Sequence, residues 1–113
     1  MTEPDANVPS GALASFLKML DAGKDGALLR FSLGNEYMKV GDAVHAALHL
    51  RRAVTLDPEY TAAWKLLGRA LAASGQDAEA LDAYTEGMAV AGRRGDKQAQ
   101  REMQVFARRL ERS

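Results

Sequence analysis

The feature that most constrains this chain is an internal repeat with a period of 34 residues. Leu33-Gly34 aligns with Leu67-Gly68 at that offset, and side chains of like size or type align on either side. These further pairs are Arg30 with Trp64, Tyr37 with Leu71, Gly41 with Gly75, Ala46 with Ala80, Leu50 with Tyr84, and Ala53 with Gly87. Self-similarity at a fixed period of roughly 20–50 residues indicates a fold built by stacking one structural unit.

Each unit predicts two helices. In the first unit, residues 27–60, apolar side chains recur at helical spacing on both sides of Gly41. Gly41 can adopt the left-handed conformation that ends a helix, and Asp42 suits the N-cap of the next one. Pro58 ends the second helix because it cannot continue the hydrogen-bond ladder. Residues 61–94 repeat the scheme.

Small residues recur where paired helices would have to approach closely. A glycine inside a helix costs about 1 kcal/mol relative to alanine, so Gly34 and Gly68 predict a compensating close contact. The small positions are Gly34, Ala46, Ala53, Gly68, Ala80 and Gly87. Large side chains opposite them would fill the remaining space, as ridges fill grooves between helices.

This pattern resembles the tetratricopeptide repeat. The second unit carries it as Trp64-x-x-Leu67-Gly68-x-x-Leu71 followed by Ala80, Tyr84 and Gly87, and the first as Arg30-x-x-Leu33-Gly34-x-x-Tyr37 followed by Ala46, Leu50, Ala53 and Pro58. Arg30 stands where the family has tryptophan, and Gly92 where it has proline. The match covers residues 27–94. It implies an all-α fold, a right-handed α-solenoid of stacked antiparallel helix pairs with about six helices.

The flanks extend the same frame into a single domain over residues 10–113, preceded by a loose tail at 1–9. Residues 10–24 are predicted to form the second helix of a truncated repeat. This frame places Ala12, Phe16 and Met19 on its packing positions. Residues 95–112 are predicted to form a capping helix with one apolar and one charged face, as the end of a solenoid requires.

Composition excludes several classes of function. Fifteen basic residues balance fifteen acidic ones, so no net field attracts nucleic acid or an anionic membrane. Cysteine is absent, which removes disulfides, zinc–thiolate sites and thiol catalysis. The N-terminus lacks the pattern of a secretory signal, and no apolar run approaches the ~20 residues of a membrane span. We therefore expect a cytoplasmic protein without a membrane contact.

Charge is nevertheless distributed unevenly along the chain. Residues 91–113 carry seven basic side chains against three acidic ones, whereas residues 57–86 carry six acidic against two basic. The basic C-terminal helix leaves open a nucleic-acid-binding module that contacts phosphates. Attraction between the two regions leaves open a weak homo-oligomer. Capping of the solenoid is the simpler interpretation of the basic helix.

Catalytic, cofactor and metal sites are not predicted. No phosphate-binding glycine loop and no nucleophile motif occurs, so we do not expect an enzyme. His45 and His49 have the i, i+4 spacing of metal ligands, but no third ligand is clear beyond Asp42. We interpret them as a surface pair on the outer side of a helix.

The resemblance implies a scaffold whose inner, concave face holds an unidentified protein or peptide. By transfer from the family, the binding positions are Leu28, Phe31, Asn35, Met38, Lys39, Lys65, Arg69 and Ala72. Two alternatives stay open. Lys65 and Arg69 could simply be solvated, and Phe31 and Met38 could pack against the N-terminal helix. Phe31 and Leu66 also depart from the chaperone-type groove that grips a C-terminal carboxylate.

Overall fold

The computed structural model describes residues 11–112, and this part of the chain consists of six α-helices with no strand. The helices are α1 (Gly11–Asp21), α2 (Ala27–Lys39), α3 (Ala43–Leu56), α4 (Thr61–Ala73), α5 (Asp77–Arg93) and α6 (Lys97–Glu111). The predicted all-α class is confirmed. The tail predicted at residues 1–9 lies outside the described residues.

The helices stack as consecutive antiparallel pairs. Helix α2 packs against α3, and α4 packs against α5. Each pair also contacts the next, since α3 packs on α4 and α5 packs on α6. Helix α4 in addition contacts both α2 and α6, so these three helices lie side by side on one face of the molecule. We call this surface the inner face. The predicted solenoid is confirmed.

Short glycine turns produce the reversal within each pair. Gly41 and Gly75 have φ values of 79° and 81°, which a residue with a Cβ rarely adopts. At the first turn the Asp42 amide donates to the Tyr37 carbonyl at 2.9 Å, which closes the end of α2. The Asp42 carboxylate then accepts from the His45 amide at 3.1 Å and caps α3. The predicted helix stop and N-cap are therefore confirmed.

The mid-helix glycines lie where the paired helices touch. A Cβ on Gly34 would lie only 2.7 Å from Cδ2 of Leu50, and one on Gly68 only 2.7 Å from Cζ of Tyr84. Leu50 and Tyr84 are almost completely buried. Glycine at these positions lets each helix of the pair pack directly on a large side chain of the other, as the sequence predicted.

Helix α1 buries a different face from the one predicted. Leu13 is buried and Phe16 is half-buried, but Ala12 and Met19 are exposed. Positions 12 and 19 correspond to Ala46 and Ala53 of α3, which pack toward the preceding helix of their own pair. In the described residues no helix precedes α1, so no helix of residues 11–112 covers this side of α1.

Within residues 11–112, no helix is both long and apolar enough to cross a bilayer.

Candidate functional site

A groove on the inner face is formed where α2, α4 and α6 come together over α5. It encloses about 360 Å³, near the lower end of the roughly 300–1,000 Å³ typical of ligand pockets. Apolar and basic side chains from all four helices line it, and these are Met38, Arg69, Ala72, Ala73, Tyr84, Phe106, Arg109 and Leu110. We refer to it as the α4 groove, after the helix at its centre.

Three residues predicted from the resemblance meet in the α4 groove. Met38 comes from the last turn of α2, and Arg69 and Ala72 come from neighbouring turns of α4. Met38 and Ala72 are only partly buried against the main core, so they form an apolar floor that remains accessible. The side chain of Arg69 is exposed.

The other half of the groove comes from α6, which sequence reasoning had treated only as a cap. Phe106, Arg109 and Leu110 all line the groove. An offset of 36 residues, rather than 34, aligns the buried Ala63 and Leu67 of α4 with Ala99 and Met103 of α6. Helix α6 thus occupies the position of a first helix in a third repeat. The shift follows a longer second helix, since α5 has 17 residues and α3 has 14.

The charged side chains that line the α4 groove are all basic. Arg69 forms no ion pair with any residue of 11–112, and the lining includes no acidic side chain. The guanidinium of Arg109 lies over the Phe106 ring, 6.0 Å from its centroid. Burial raises the pKa of Tyr84 to about 12, and the charge of nearby Arg69 opposes this rise. Tyr84 is therefore a neutral phenol at physiological pH.

The remaining predicted binding residues are scattered over the inner face. Leu28 is 69% exposed, and Asn35 is half-buried. Phe31 stacks on Tyr60 with ring centroids 5.0 Å apart, so it packs on the segment leading into α4. Phe31 thus packs on the main core, and it is not part of the smaller apolar cluster that Leu13 of α1 forms with α2.

Two predicted lysines are engaged in ion pairs. Lys39 donates to Glu36 at 3.1 Å within α2. Lys65 donates to Glu102 of α6 at 3.2 Å. Lys65 and Arg69 therefore do not act as one positive pair, because Glu102 neutralises the first of them.

His49 is not on the surface, which corrects the interpretation of the two histidines. Its side chain is buried at 6% exposure, and its ring stacks on Tyr37 with centroids 5.4 Å apart. Arg30 donates to Nδ1 of His49 at 3.0 Å and forms an ion pair with Asp25 at 2.8 Å. Arginine has no acceptor, so His49 must carry its proton on Nε2. Among residues 11–112, no cluster of three or more His, Cys, Asp or Glu has metal-binding geometry.

Comparison with known proteins gives the family. Residues 19–111 match the family described as the bacterial transcriptional activator domain. A TPR repeat-containing protein of Pseudomonas aeruginosa is 54% identical over 96 residues, which span 85% of this chain and 91% of that protein. The chain therefore belongs to the tetratricopeptide repeat proteins, in the bacterial transcriptional activator domain family.

Solved structures agree with this membership. A protein of Bordetella parapertussis, whose solution structure is known, is 43% identical with a TM-score of 0.78, over 91% of this chain and 90% of that one. The crystal structure of a tetratricopeptide repeat domain protein from Salinibacter ruber matches at 25% identity and a TM-score of 0.70, over 77% of this chain and 97% of that one. This tetratricopeptide repeat domain thus has close structural relatives in bacteria.

Proposed function

We propose that this tetratricopeptide repeat domain is a non-catalytic scaffold that docks a partner protein or peptide in the α4 groove. The observation that carries the proposal is the composition of the groove. Met38, Ala72 and Phe106 remain partly exposed beside a well-packed core, and Arg69 lies next to them without an ion pair in the described residues. An apolar floor bordered by charge is the usual make-up of a site for a protein segment.

The proposal includes a cytoplasmic location, which rests on the sequence alone.

The description of the matching family names transcriptional activation. A protein that takes part in transcription is accordingly the first class of partner to test. We assign the domain the role of contacting such a protein, not of reading DNA.

Site-specific photo-crosslinking tests the docking face. A photoreactive residue at Ala73, which is exposed and lines the groove, should capture a discrete partner in cells. The matched control is the same residue at Ala89, which is exposed on α5 outside the groove. Equal capture at both positions, or capture at Ala89 alone, would show that the partner does not dock in the α4 groove.

A further inference from the structure

The α4 groove also carries information about the chemistry of its occupant. From it we infer that the occupant is an acidic, amphipathic segment of another protein, with an apolar side chain seated on Phe106 and Met38 and a carboxylate paired with Arg69. This inference rests on the proposed docking function and makes it specific. It is carried by the arrangement of apolar and charged groups in the groove.

The apolar part of the occupant follows from the groove floor. Met38 and Phe106 stand on opposite sides of α4, on α2 and α6, and both remain partly exposed. Methionine and phenylalanine together form an adaptable surface for aliphatic and aromatic side chains. A cavity of about 360 Å³ holds a few side chains but not a globular domain, so a short segment must enter it.

The acidic part of the occupant follows from the balance of charge around the floor. Arg69 contributes a guanidinium group that forms no ion pair within residues 11–112, and no carboxylate of the described residues lines the groove beside it. The nearest lysine on the same face of α4, Lys65, is already paired with Glu102. Arginine presents a planar fork of donors that matches a carboxylate in a bidentate pair.

A basic or neutral segment fits the groove less well. Its own cations would face Arg69, and like charges at an interface weaken the complex and reject the wrong partner. Nucleic acid is disfavoured for a different reason. Its phosphates could pair with Arg69, but in the described residues the apolar floor has one partly buried aromatic ring on α6 and no row of exposed aromatic side chains for stacking bases.

Selection from a random peptide library tests the inference without choosing a sequence in advance. The library contains acidic and basic residues at equal frequency and is panned on the full chain. We expect the enriched peptides to combine Asp or Glu with Leu, Ile, Met or Phe. Enrichment of basic or uncharged peptides, or no enrichment at all, would overturn the inference.

Two matched variants then locate the binding site of the enriched peptides. Arg69→Glu should weaken binding about tenfold or more, because it removes a charge-assisted contact and adds a repulsion. Arg94→Glu makes the same change in net charge at the turn between α5 and α6, outside the groove lining. Binding to the Arg94 variant should stay within about twofold of wild type in moderate salt, because a distant exposed charge is screened. Equal loss in both variants would mean that the peptides recognise net charge only, which contradicts the inference.

The two tests separate the inference from the proposed function. Crosslinking at Ala73 without acidic peptide enrichment would leave docking in place and reject the acidic occupant. Acidic peptides that lose affinity on Arg69→Glu support the inference directly. A variant chain that loses its helical circular dichroism is replaced by Arg69→Gln, which removes the charge and keeps a polar side chain of similar length.

Discussion

The two repeats, residues 27–60 and 61–94, share one register but place apolar side chains in one repeat where the other has polar ones. In the second repeat Trp64 packs against the core that includes the small, buried Ala83, and its indole N–H donates to the Pro58 carbonyl at 2.8 Å. In the first repeat the same two positions are Arg30 and His49, which hydrogen-bond to each other. One register therefore accepts either a large apolar ring beside a methyl group or a polar pair, provided that the polar pair satisfies its own hydrogen bonds.

The aromatic residue between the paired helices lies on the first helix in one repeat and on the second helix in the other. The first repeat has Tyr37 on its first helix and Leu50 on its second, whereas the second repeat has Leu71 and Tyr84. The exchange keeps the volume between the helices roughly constant. It has a functional consequence, because the aromatic side chain on the second helix, Tyr84, reaches the α4 groove. The equivalent Leu50 is fully buried and is not among the residues that line the groove.

The largest loss of stability is expected when the large side chain on the second helix of a repeat is truncated. Tyr84→Ala should lower the free energy of unfolding by about 3–5 kcal/mol, since it removes a ring that fills the space above Gly68. Leu50→Ala removes fewer atoms from the equivalent place, so its cost should be smaller within the roughly 2–5 kcal/mol typical of Leu→Ala. Urea unfolding followed by circular dichroism measures both.

Tyr84→Phe is the matched control for this pair, because it keeps the ring and deletes only the hydroxyl. It should cost less than either alanine variant. A loss below about 1 kcal/mol for Tyr84→Ala would contradict the packing role of the ring, and a larger loss for Leu50→Ala would reverse the ranking of the two repeats.

The polar pair should make the first repeat sensitive to acid. Burial, together with the charges of Arg30 and His45, lowers the pKa of His49 below its ordinary 6.5, while Asp25 opposes this. The unfolded chain therefore takes up a proton at His49 before the folded chain does. As a result, the free energy of unfolding falls as the pH drops below about 6.5, by at most about 1.4 kcal/mol per pH unit for this group.

Replacing the polar pair with the residues of the second repeat tests whether His49 causes the acid sensitivity. The double variant Arg30→Trp with His49→Ala copies Trp64 and Ala83 into the first repeat. Its free energy of unfolding should lose most of its pH dependence between pH 7.5 and pH 5.5, roughly the range over which an ordinary histidine titrates. His45→Gln is the comparison variant: it keeps the Arg30–His49 bond and removes only a lesser cause of the lowered His49 pKa, so it should retain most of the dependence. An unchanged slope in the double variant would place the acid sensitivity elsewhere.

The comparison also shows what could be predicted from the sequence. Gly34 and Gly68 were predictable as close contacts because side-chain size repeats with the register. His49 was misjudged because its helical register was interpreted as facing outward, like that of His45, although the 34-residue offset aligns it with the buried Ala83. Half of the α4 groove was missed because the longer α5 moves α6 to an offset of 36, which a fixed period cannot detect. Ion pairs such as Lys65–Glu102 depend on that same placement and were not predictable either.

The smallest effect is expected at this ion pair, which also distinguishes the repeats. Lys65 is equivalent to Phe31, and where Phe31 stacks on Tyr60, Lys65 instead reaches α6 and pairs with Glu102. Both partners are about a third exposed, so solvent screens their attraction. A double-mutant cycle with Lys65→Ala and Glu102→Ala should give a coupling energy of about 0.2–1 kcal/mol that shrinks in high salt. A coupling energy well above that range, and insensitive to salt, would mean that the pair links α4 and α6 structurally. The two sides of the α4 groove would then be held together by this ion pair as well as by the packing of both helices on α5.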